Sequence, residues 1–312
     1  MANRLPKLIC IVGPTASGKT ALAIKLAKKI RGEIISADSR QIYREMDIGT
    51  AKPPVVPPGK DGRGDVMSFG IPHYLIDIRN PNQIYTAGQF KRDAIKAVKQ
   101  IIRSGKLPLL VGGTGLYISA IVNNLEIPEV EPNRQLRKKL EQQIQKHGLY
   151  YVYGKLTALD PEAAYNIDPK NPRRIIRAYE IALATKKPFS ETRKKGERLF
   201  DILILGLNCG EKLKAKIAKR TSLMIKKGLV KETKNLIKKY GLRPVPFDAI
   251  GYRETIQYLQ GKTTLSETIT LINKNTWRFA KRQLTWFRKM PVIWLEGDVL
   301  RRAEKEIEKF LK

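Results

Sequence analysis

The chain has 312 residues, enough for one large domain or two with a substantial hydrophobic core. Hydrophobic residues make up 42% of it, as in globular proteins, and no run approaches the roughly 18 apolar residues of a membrane-spanning helix. We therefore expect no membrane segment. The first residues lead into a strand pattern without the features of a signal or transit peptide, so we expect a cytoplasmic protein.

Lysine and arginine total 60 against 29 acidic residues, which gives a formal net charge of +31. A surplus of this size exceeds what solubility requires and favours a polyanionic partner, either nucleic acid or an anionic membrane. The chain has two cysteines, Cys10 and Cys209, and two histidines, His73 and His147. These cannot assemble a Cys/His metal cluster, and they argue against a histidine-dependent nucleophilic triad.

The first predicted element is a buried strand at residues 8–12, followed by a glycine-rich loop that matches G-x-x-x-x-G-K-[ST] and opens a helical pattern. In this setting the backbone N–H groups of the loop and the helix dipole bind a phosphate compound. The lysine adds a full positive charge, and the final threonine hydroxyl is placed to bind Mg²⁺. The predicted phosphate-binding residues are Gly13, Pro14, Thr15, Ala16, Ser17, Gly18, Lys19 and Thr20, with Thr20 as the metal ligand.

Residues 7–122 alternate between strand and helix patterns, which indicates an α/β architecture with a parallel sheet. The further strands are predicted at 33–36, 74–77 and 109–111. The helices are predicted at 18–29, 87–103 and 116–123. A segment rich in proline and glycine at 53–70 is predicted to be a mobile loop.

From residue 129 the pattern changes to highly charged helices, predicted at 133–147 and 172–185, and strand alternation is suggested there only at 150–155. A buried strand returns at 201–208 and should rejoin the sheet. The last predicted elements are helices at 211–227, 229–240, 252–260 and 266–289, a strand at 292–295 and a charged terminal helix. The sequence therefore predicts a P-loop NTPase-like parallel sheet core, made of residues 1–124 and 199–312, with a helical insertion domain at 125–198.

Asp38 lies two residues after the end of the predicted strand at 33–36, and in a parallel sheet that strand end lies beside the phosphate loop. Its carboxylate could bind Mg²⁺ or take a proton from a substrate nucleophile, and the alternative is a helix N-cap. The strand at 109–111 ends in a glycine-rich turn with Thr114 rather than in a Walker-B aspartate. That omission argues against a motor-type ATPase and leaves a kinase or another phosphate-handling transferase open.

Arg220 lies on the apolar stripe of the predicted helix at 211–227, together with Leu213, Ile217 and Met224. Burying an arginine is costly unless an anion pairs with it, and a diphosphate can accept two guanidinium N–H groups. The alternative is an arginine at the edge of the stripe whose charged end reaches solvent. The pattern alone leaves both interpretations open.

Basic residues also line one broad face of the predicted helix at 266–289. The face comprises Arg278, Lys281, Arg282, Thr285 and Lys289. Aromatic residues are interleaved around the rest of this helix, and we expect most of them in the core. A second basic cluster, Arg173, Arg174 and Arg177, opens a helix of the insertion. Together with the charge of +31, these clusters predict contacts with RNA bases and phosphates.

Eight motifs occur in order along nearly the whole chain, at residues 13–20, 36–43, 46–53, 73–77, 111–117, 171–178, 250–253 and 281–288. Together they resemble the tRNA dimethylallyltransferase (tRNA isopentenyltransferase) family. The resemblance implies transfer of a dimethylallyl group from dimethylallyl diphosphate to the N6 amine of the tRNA adenosine at position 37, just 3′ of the anticodon. It further implies Mg²⁺ as cofactor and the tRNA anticodon stem-loop as partner, and we expect a monomer.

The resemblance assigns roles to four catalytic residues, Asp38, Thr20, Thr114 and Arg220. Asp38 is the general base for the amine, and Thr114 lies near the acceptor. The amides of residues 13–20, Lys19, Arg220 and Mg²⁺ at Thr20 stabilise the departing diphosphate. The target base must leave its stack to reach Asp38. The residues that match tRNA contacts of the family are Asp38, Ser39, Arg40, Gln41, Thr114, Arg137, Arg173, Arg174, Ile175, Ile176, Arg177, Asp248, Ala249, Ile250, Gly251, Tyr252, Arg253, Lys281, Arg282, Gln283, Leu284, Thr285, Trp286, Phe287 and Arg288.

The sequence departs from the family pattern at two places. Arg40 stands where the family often has a small or apolar residue, and Asp248 with Ala249 replaces a commoner pair. The C-terminal zinc finger of the eukaryotic members is absent, which favours a bacterial-type enzyme. Two other functions stay open at this stage, a P-loop nucleotide or small-molecule kinase and an RNA-binding module with a vestigial phosphate loop.

Overall fold

The computed structural model describes residues 5–58, 62 and 64–312 of the chain. Across these residues, seven strands form one sheet in the order β3-β4-β2-β5-β1-β6-β7. The strands are β1 (Lys7–Val12), β2 (Gly32–Ser36), β3 (Val66–Ser68), β4 (Ile71–Tyr74), β5 (Leu107–Gly112), β6 (Asp201–Leu207) and β7 (Ile293–Leu295). All neighbouring strands are parallel except β3 and β4. The prediction of an α/β fold with a P-loop-like parallel sheet is confirmed.

Twelve α-helices accompany these strands in the described part of the chain. They are α1 (Lys19–Lys29), α2 (Ala87–Arg103), α3 (Gly115–Val122), α4 (Arg134–His147), α5 (Leu149–Leu159), α6 (Pro161–Asn166), α7 (Pro172–Thr185), α8 (Lys212–Lys226), α9 (Leu229–Tyr240), α10 (Tyr252–Leu259), α11 (Leu265–Phe287) and α12 (Val299–Leu311). No helix among the residues that the structure describes is both long and apolar enough to cross a membrane.

The chain divides into two compact units. The first comprises Met1–Tyr85, Lys91–Val122 and Leu199–Lys312, and the second comprises Thr86–Phe90 and Asn123–Arg198. The main breaks thus fall beside the predicted ends of the insertion at residues 125 and 198. The assignment of the second unit to tRNA binding stays a prediction.

Strand β1 forms the centre of the first unit. It pairs with β5 on one side, with Val12 opposite Gly112, and with β6 on the other. Residues 8–12 are completely buried, because helices cover both faces of a parallel sheet. Helix α1 packs on this strand layer through Leu22 and Leu26. The carboxyl ends of β1, β5 and β2 therefore lie side by side at one edge.

The second unit has its own small core, in which Val152, Leu156 and Ile175 are fully buried. Helices α4, α6 and α7 of this unit begin at residues whose side chains accept a backbone N–H, as N-caps do. Asn133 accepts from Leu136, Asp160 from Ala163, and Asn171 from Arg174. These caps fix where the helices of this unit begin.

Two strand assignments from the sequence are wrong. The segment 74–77 is not a strand, because β4 ends at Tyr74 and the chain turns at Leu75 and Asp77, both with positive φ. Burial of Leu75 and Ile76 in this turn produced the misleading apolar run. The segment 150–155 is part of α5, where Val152 and Leu156 lie one helical turn apart and are buried while the Tyr150 side chain is exposed.

The predicted loop at 53–70 is partly ordered into the sheet. Residues Val66–Ser68 form β3, antiparallel to β4, and Val56 exchanges two backbone hydrogen bonds with Met67. The uniform loop prediction is therefore wrong for its second half. Residues 59–61 and 63 of this prediction lie outside the described part of the chain.

The close approach of β5 and the residue after β2 gives a test of the sheet edge. A Cβ atom added at Gly112 would lie 2.1 Å from the carbonyl oxygen of Ala37. Gly112→Ala should therefore lower the free energy of unfolding by about 2 kcal/mol, because the backbone cannot yield without moving β2. Gly154→Ala in α5 is the matched control, since nothing lies within 4 Å of its new Cβ. Urea unfolding should show no loss of stability in the control, and equal losses would contradict the expectation.

Candidate functional site

The loop at residues 13–20 connects β1 to α1 with a backbone that few other sequences could adopt. Gly13 has φ 144°, and a Cβ there would lie 2.5 Å from the carbonyl oxygen of Leu207. Gly18 precedes α1 with φ 93°. Ala16 is left-handed at φ 63°, which costs a residue with a side chain about 1 kcal/mol. The loop therefore carries strain at the start of a helix, where backbone N–H groups attract anions.

Two side chains of this loop point to an anionic ligand. The Ser17 hydroxyl is buried and has no hydrogen-bond partner among the residues that the structure describes. The Lys19 ammonium donates to the carbonyl oxygen of Pro14 at 2.6 Å. The pKa of Lys19 is lowered to about 8, mainly by burial; the charge of Asp38 acts to raise this pKa, and that of Arg220 acts to lower it. A bound anion would therefore stabilise the charged form of Lys19, which burial and the nearby charge of Arg220 disfavour.

Asp38 lies at the turn after β2. Its Oδ1 atom accepts the backbone N–H of Arg40 at 2.8 Å and that of Gln41 at 3.4 Å. The neighbouring Ser39 N–H donates to the Thr114 hydroxyl at 3.1 Å, and the Thr114 N–H donates to Ala37. One carboxylate oxygen therefore stabilises the turn, and the turn holds Asp38 close to Thr114.

Arg220 lies on α8 beside a buried stripe that includes Ile217 and Met224. Its Nη2 atom donates to the carbonyl oxygen of Thr50 at 3.3 Å, and within the described residues it forms no ion pair. Burial lowers the pKa of the Arg220 guanidinium from its usual value, while the charge of Asp38 acts to raise it. A half-buried guanidinium without a carboxylate partner is well placed to bind an anion.

The loop at residues 46–52 holds the carbonyl group that Arg220 contacts, and sequence reasoning gave it no structural role. The carboxylate of Glu232 on α9 accepts the backbone N–H groups of Asp47, Ile48 and Gly49 at 2.8–3.2 Å, and the Tyr252 hydroxyl at 2.6 Å. A Cβ at Gly49 would lie 2.4 Å from the Tyr252 ring. A lone glutamate among the lysines of α9 was a weak signal for this contact.

One cavity of about 460 Å³ in the first unit brings many predicted site residues together. Apolar side chains of α8 and α11, among them Met224 and Ile272, line part of it. Exposed side chains of α11, among them Arg278 and Phe279, line another part. The predicted site residues in its lining are Thr15, Asp38, Ser39, Arg40, Thr114, Arg220, Asp248, Ala249, Ile250, Arg253, Arg282 and Gln283.

Helix α11 presents most of its predicted RNA-contacting residues to the surface. Lys281, Arg282, Thr285, Trp286 and Arg288, which directly follows the helix, are exposed. The Lys281 ammonium lies 5.2 Å from the centre of the Trp277 ring. The exposed group thus combines cations with aromatic rings, as single-stranded RNA sites do.

Several residues predicted to contact tRNA have side chains that are buried or hydrogen-bonded within the protein. Ile175, Ile176, Tyr252 and Phe287 are buried, and the amide of Gln283 is hydrogen-bonded inside the first unit. Contacts of these five residues with RNA stay predictions. Their apolar or amide groups pack within the protein.

Arg137 and Arg177 are also engaged within their own unit. Both bind the carboxylate of Glu180, whose side chain is 1% exposed. Burial acts to raise the pKa of Glu180, but hydrogen bonds from the two arginines and from the Asn133 N–H outweigh it and lower this pKa. Arg173 and Arg174 are exposed on the same unit. The accessible cations of this helix are therefore the first two of the predicted cluster.

The lowered pKa of Lys19 predicts a pH-dependent affinity for inorganic pyrophosphate. Below about pH 8 the ammonium is charged, and above it the neutral amine no longer attracts the anion. Affinity should therefore fall several-fold between pH 7 and 9 in calorimetric titrations. Lys19→Arg is the control, because its guanidinium stays charged over this range while the ionisation of pyrophosphate is unchanged. Parallel pH profiles in the two proteins would contradict the assignment.

Comparisons with known proteins identify the family of the chain. The family model described as IPP transferase matches residues 41–290, and a second model, Isopentenyl transferase, matches residues 6–56. A tRNA dimethylallyltransferase of Acetivibrio thermocellus is 43% identical over 311 residues, covering 97% of this chain and 96% of the relative.

Solved structures of related proteins share the fold. The full-length tRNA isopentenylpyrophosphate transferase of Bacillus halodurans superposes with a TM-score of 0.67 at 37% identity, covering 98% of this chain and 95% of that one. A eukaryotic dimethylallyltransferase acting on tRNA superposes with a TM-score of 0.74 at 29% identity, covering 93% and 73%. The sequence relationship and the shared fold together show that the chain belongs to the IPP transferase family.

Proposed function

We propose that this chain transfers a dimethylallyl group from dimethylallyl diphosphate to the N6 amine of the adenosine at tRNA position 37. The observation that carries the proposal is the cavity in which Asp38, Thr114, Arg220 and the loop residue Thr15 meet the basic side of α11. The reaction needs a place for the acceptor adenosine, a proton acceptor and a diphosphate site within one small volume. The residues of this cavity are suited to all three.

The leaving diphosphate would bind between the loop at residues 13–20 and Arg220. The loop offers the N-terminal end of α1, Lys19 and the buried hydroxyl of Ser17. Arg220 adds a planar guanidinium suited to two phosphate oxygens. Negative charge grows on the diphosphate as it departs, so these fixed positive groups lower the barrier by stabilising the transition state.

Mg²⁺ fits the donor groups at this position. Thr20 lies exposed in the first turn of α1, and the described residues contain no cluster of three acidic, histidine or cysteine side chains. Mg²⁺ commonly keeps several waters and binds substrate phosphates with one or two protein oxygens, so Thr20 would be its protein ligand here. When bound, the ion would neutralise charge on the diphosphate.

The carbon chain and the acceptor would lie on either side of the reacting carbon. Ile217, Met224 and Ile272 line the cavity and would cover the apolar dimethylallyl group. The adenine N6 atom forms a bond to C1 of this group, while the bond from C1 to the diphosphate oxygen breaks and its electron pair leaves with the diphosphate. The N6 proton passes to the free carboxylate oxygen of Asp38, and Thr114 supports the turn beside it.

The tRNA anticodon stem-loop would bind through the exposed cations of the chain. On the first unit the candidates are the exposed Arg253, Lys281, Arg282 and Arg288, together with the half-buried Arg40 of the cavity lining, while Arg173 and Arg174 are the candidates on the second. The target adenosine leaves its stack to enter the cavity, as in other base-modifying enzymes. We further propose that the enzyme acts as a monomer in the cytoplasm.

A kinase function is not favoured, because the relatives and the family model belong to prenyltransferases. The two reactions separate in one assay, in which tRNA is incubated with dimethylallyl diphosphate or with ATP and its nucleosides are analysed by mass spectrometry. Prenylated adenosine formed with dimethylallyl diphosphate supports the proposal. Phosphate transfer from ATP without prenylation would refute it.

The proton-acceptor role of Asp38 can be tested by Asp38→Asn. The amide oxygen can still accept the N–H of Arg40, so the turn should persist, while proton acceptance is lost. We expect turnover to fall by at least about 100-fold, with tRNA affinity nearly unchanged. Single-turnover rates and filter binding measure the two quantities. A large loss of tRNA affinity would contradict the role.

The RNA-binding role of α11 predicts a change in salt dependence. Lys281→Ala and Arg282→Ala should each weaken tRNA binding and lower the slope of log Kd against log salt by about one unit for each phosphate that the variant no longer binds. Lys139→Ala, an exposed lysine of α4 outside the predicted contacts, is the matched control. An unchanged slope in the α11 variants would show that this face does not bind phosphates.

A further inference from the structure

The side-chain amide of Gln283 joins two loops that are far apart in the sequence. Its Oε1 atom accepts the backbone N–H of Thr15, and its Nε2 atom donates to the carbonyl oxygen of Gly113, both at 2.8 Å. Gln283 is 6% exposed. Both polar ends of this buried amide are therefore satisfied by the loop at residues 13–20 and by the turn that carries Thr114.

Gln283 packs closely against the turn that contains Gly113. A Cβ atom added at Gly113 would lie 2.3 Å from Nε2 of Gln283. On the other side, Thr15 immediately precedes Ala16, the strained left-handed residue of the loop. A hydrogen bond to the Thr15 N–H thus fixes the backbone just before its least favourable conformation.

Neighbouring residues of α11 have a different exposure. Lys281 and Arg282 are exposed, whereas Gln283 is buried, because successive helical residues are about 100° apart. One short segment therefore presents cations to a polyanion and an amide to the phosphate loop. The resemblance to known family motifs had assigned all of these residues to tRNA binding.

We propose that Gln283 is a positioning residue for the diphosphate, acting through the loop at residues 13–20, and that it connects this loop to the helix that binds tRNA. The inference rests on the proposed function and adds to it a residue that acts on the diphosphate side. Removal of the amide leaves the Thr15 N–H and the buried Gly113 carbonyl without this partner. The loop then relaxes, and its amides no longer converge on the diphosphate.

Gln283→Met tests the inference, because methionine keeps the length and packing of the side chain but forms neither hydrogen bond. In the full chain, inorganic pyrophosphate affinity measured by calorimetry should fall about tenfold, as expected when two hydrogen bonds are removed. The tRNA affinity measured by filter binding should change less than about twofold. In the transfer assay, KM for dimethylallyl diphosphate should rise while KM for tRNA stays constant.

Lys281→Met is the reciprocal control, expected to weaken tRNA binding while pyrophosphate affinity is preserved. Gly113→Ala approaches the same contact from the other loop and should reproduce the Gln283→Met result, with the double variant no worse than either single one. Weakened tRNA binding with normal pyrophosphate affinity in Gln283→Met, or no change in either, would overturn the inference. Failure of the wild-type chain to transfer prenyl groups would instead refute the proposed function, and pyrophosphate titration would still decide the role of Gln283.

Discussion

Parallel pairing of β1 with β5 and of β5 with β2 places three strand ends side by side, and the site depends on this edge. Val12 lies opposite Gly112, and Ser36 lies opposite Val111. The loop at residues 13–20, Asp38 and Thr114 therefore all lie within two residues of these paired strand ends. The Ala37 carbonyl accepts the Thr114 N–H across this edge. This backbone pairing makes Asp38, the proposed proton acceptor, a neighbour of the loop at residues 13–20, the proposed phosphate site.

Two half-buried cationic groups, Lys19 and Arg220, lie near this edge of the sheet. Burial disfavours the charged forms of Lys19 and Arg220, and the charge of Asp38 only partly offsets this effect. Contacts with other segments hold these groups in place, among them the hydrogen bond from Arg220 to the Thr50 carbonyl and the carboxylate of Glu232, which binds the loop at residues 46–52. Under the proposed function, a bound diphosphate would stabilise the charged forms of both groups.

Much of the fold was predictable because local patterns determined it. The apolar run that marks β1, the motif that opens α1 and the length of α2 all match the structure. The errors arose where buried residues sit outside regular elements, as in the turn at Leu75 and Ile76. At the site, the residues with a chemical signature could be named, whereas Glu232 and the inward direction of Gln283 depend on contacts between distant segments, which no local pattern encodes.

The anchoring of the loop at residues 46–52 affects how the cavity can be closed. Glu232 binds three successive amides, Lys52 is buried against Asp47 and Asp77, and Tyr252 packs on Gly49. A segment fastened at so many points is a fixed wall and cannot swing as a lid. Under the proposed reaction, the loop at residues 46–52 does not close over the cavity. The entering adenine base itself then excludes water from the allylic carbon that it attacks.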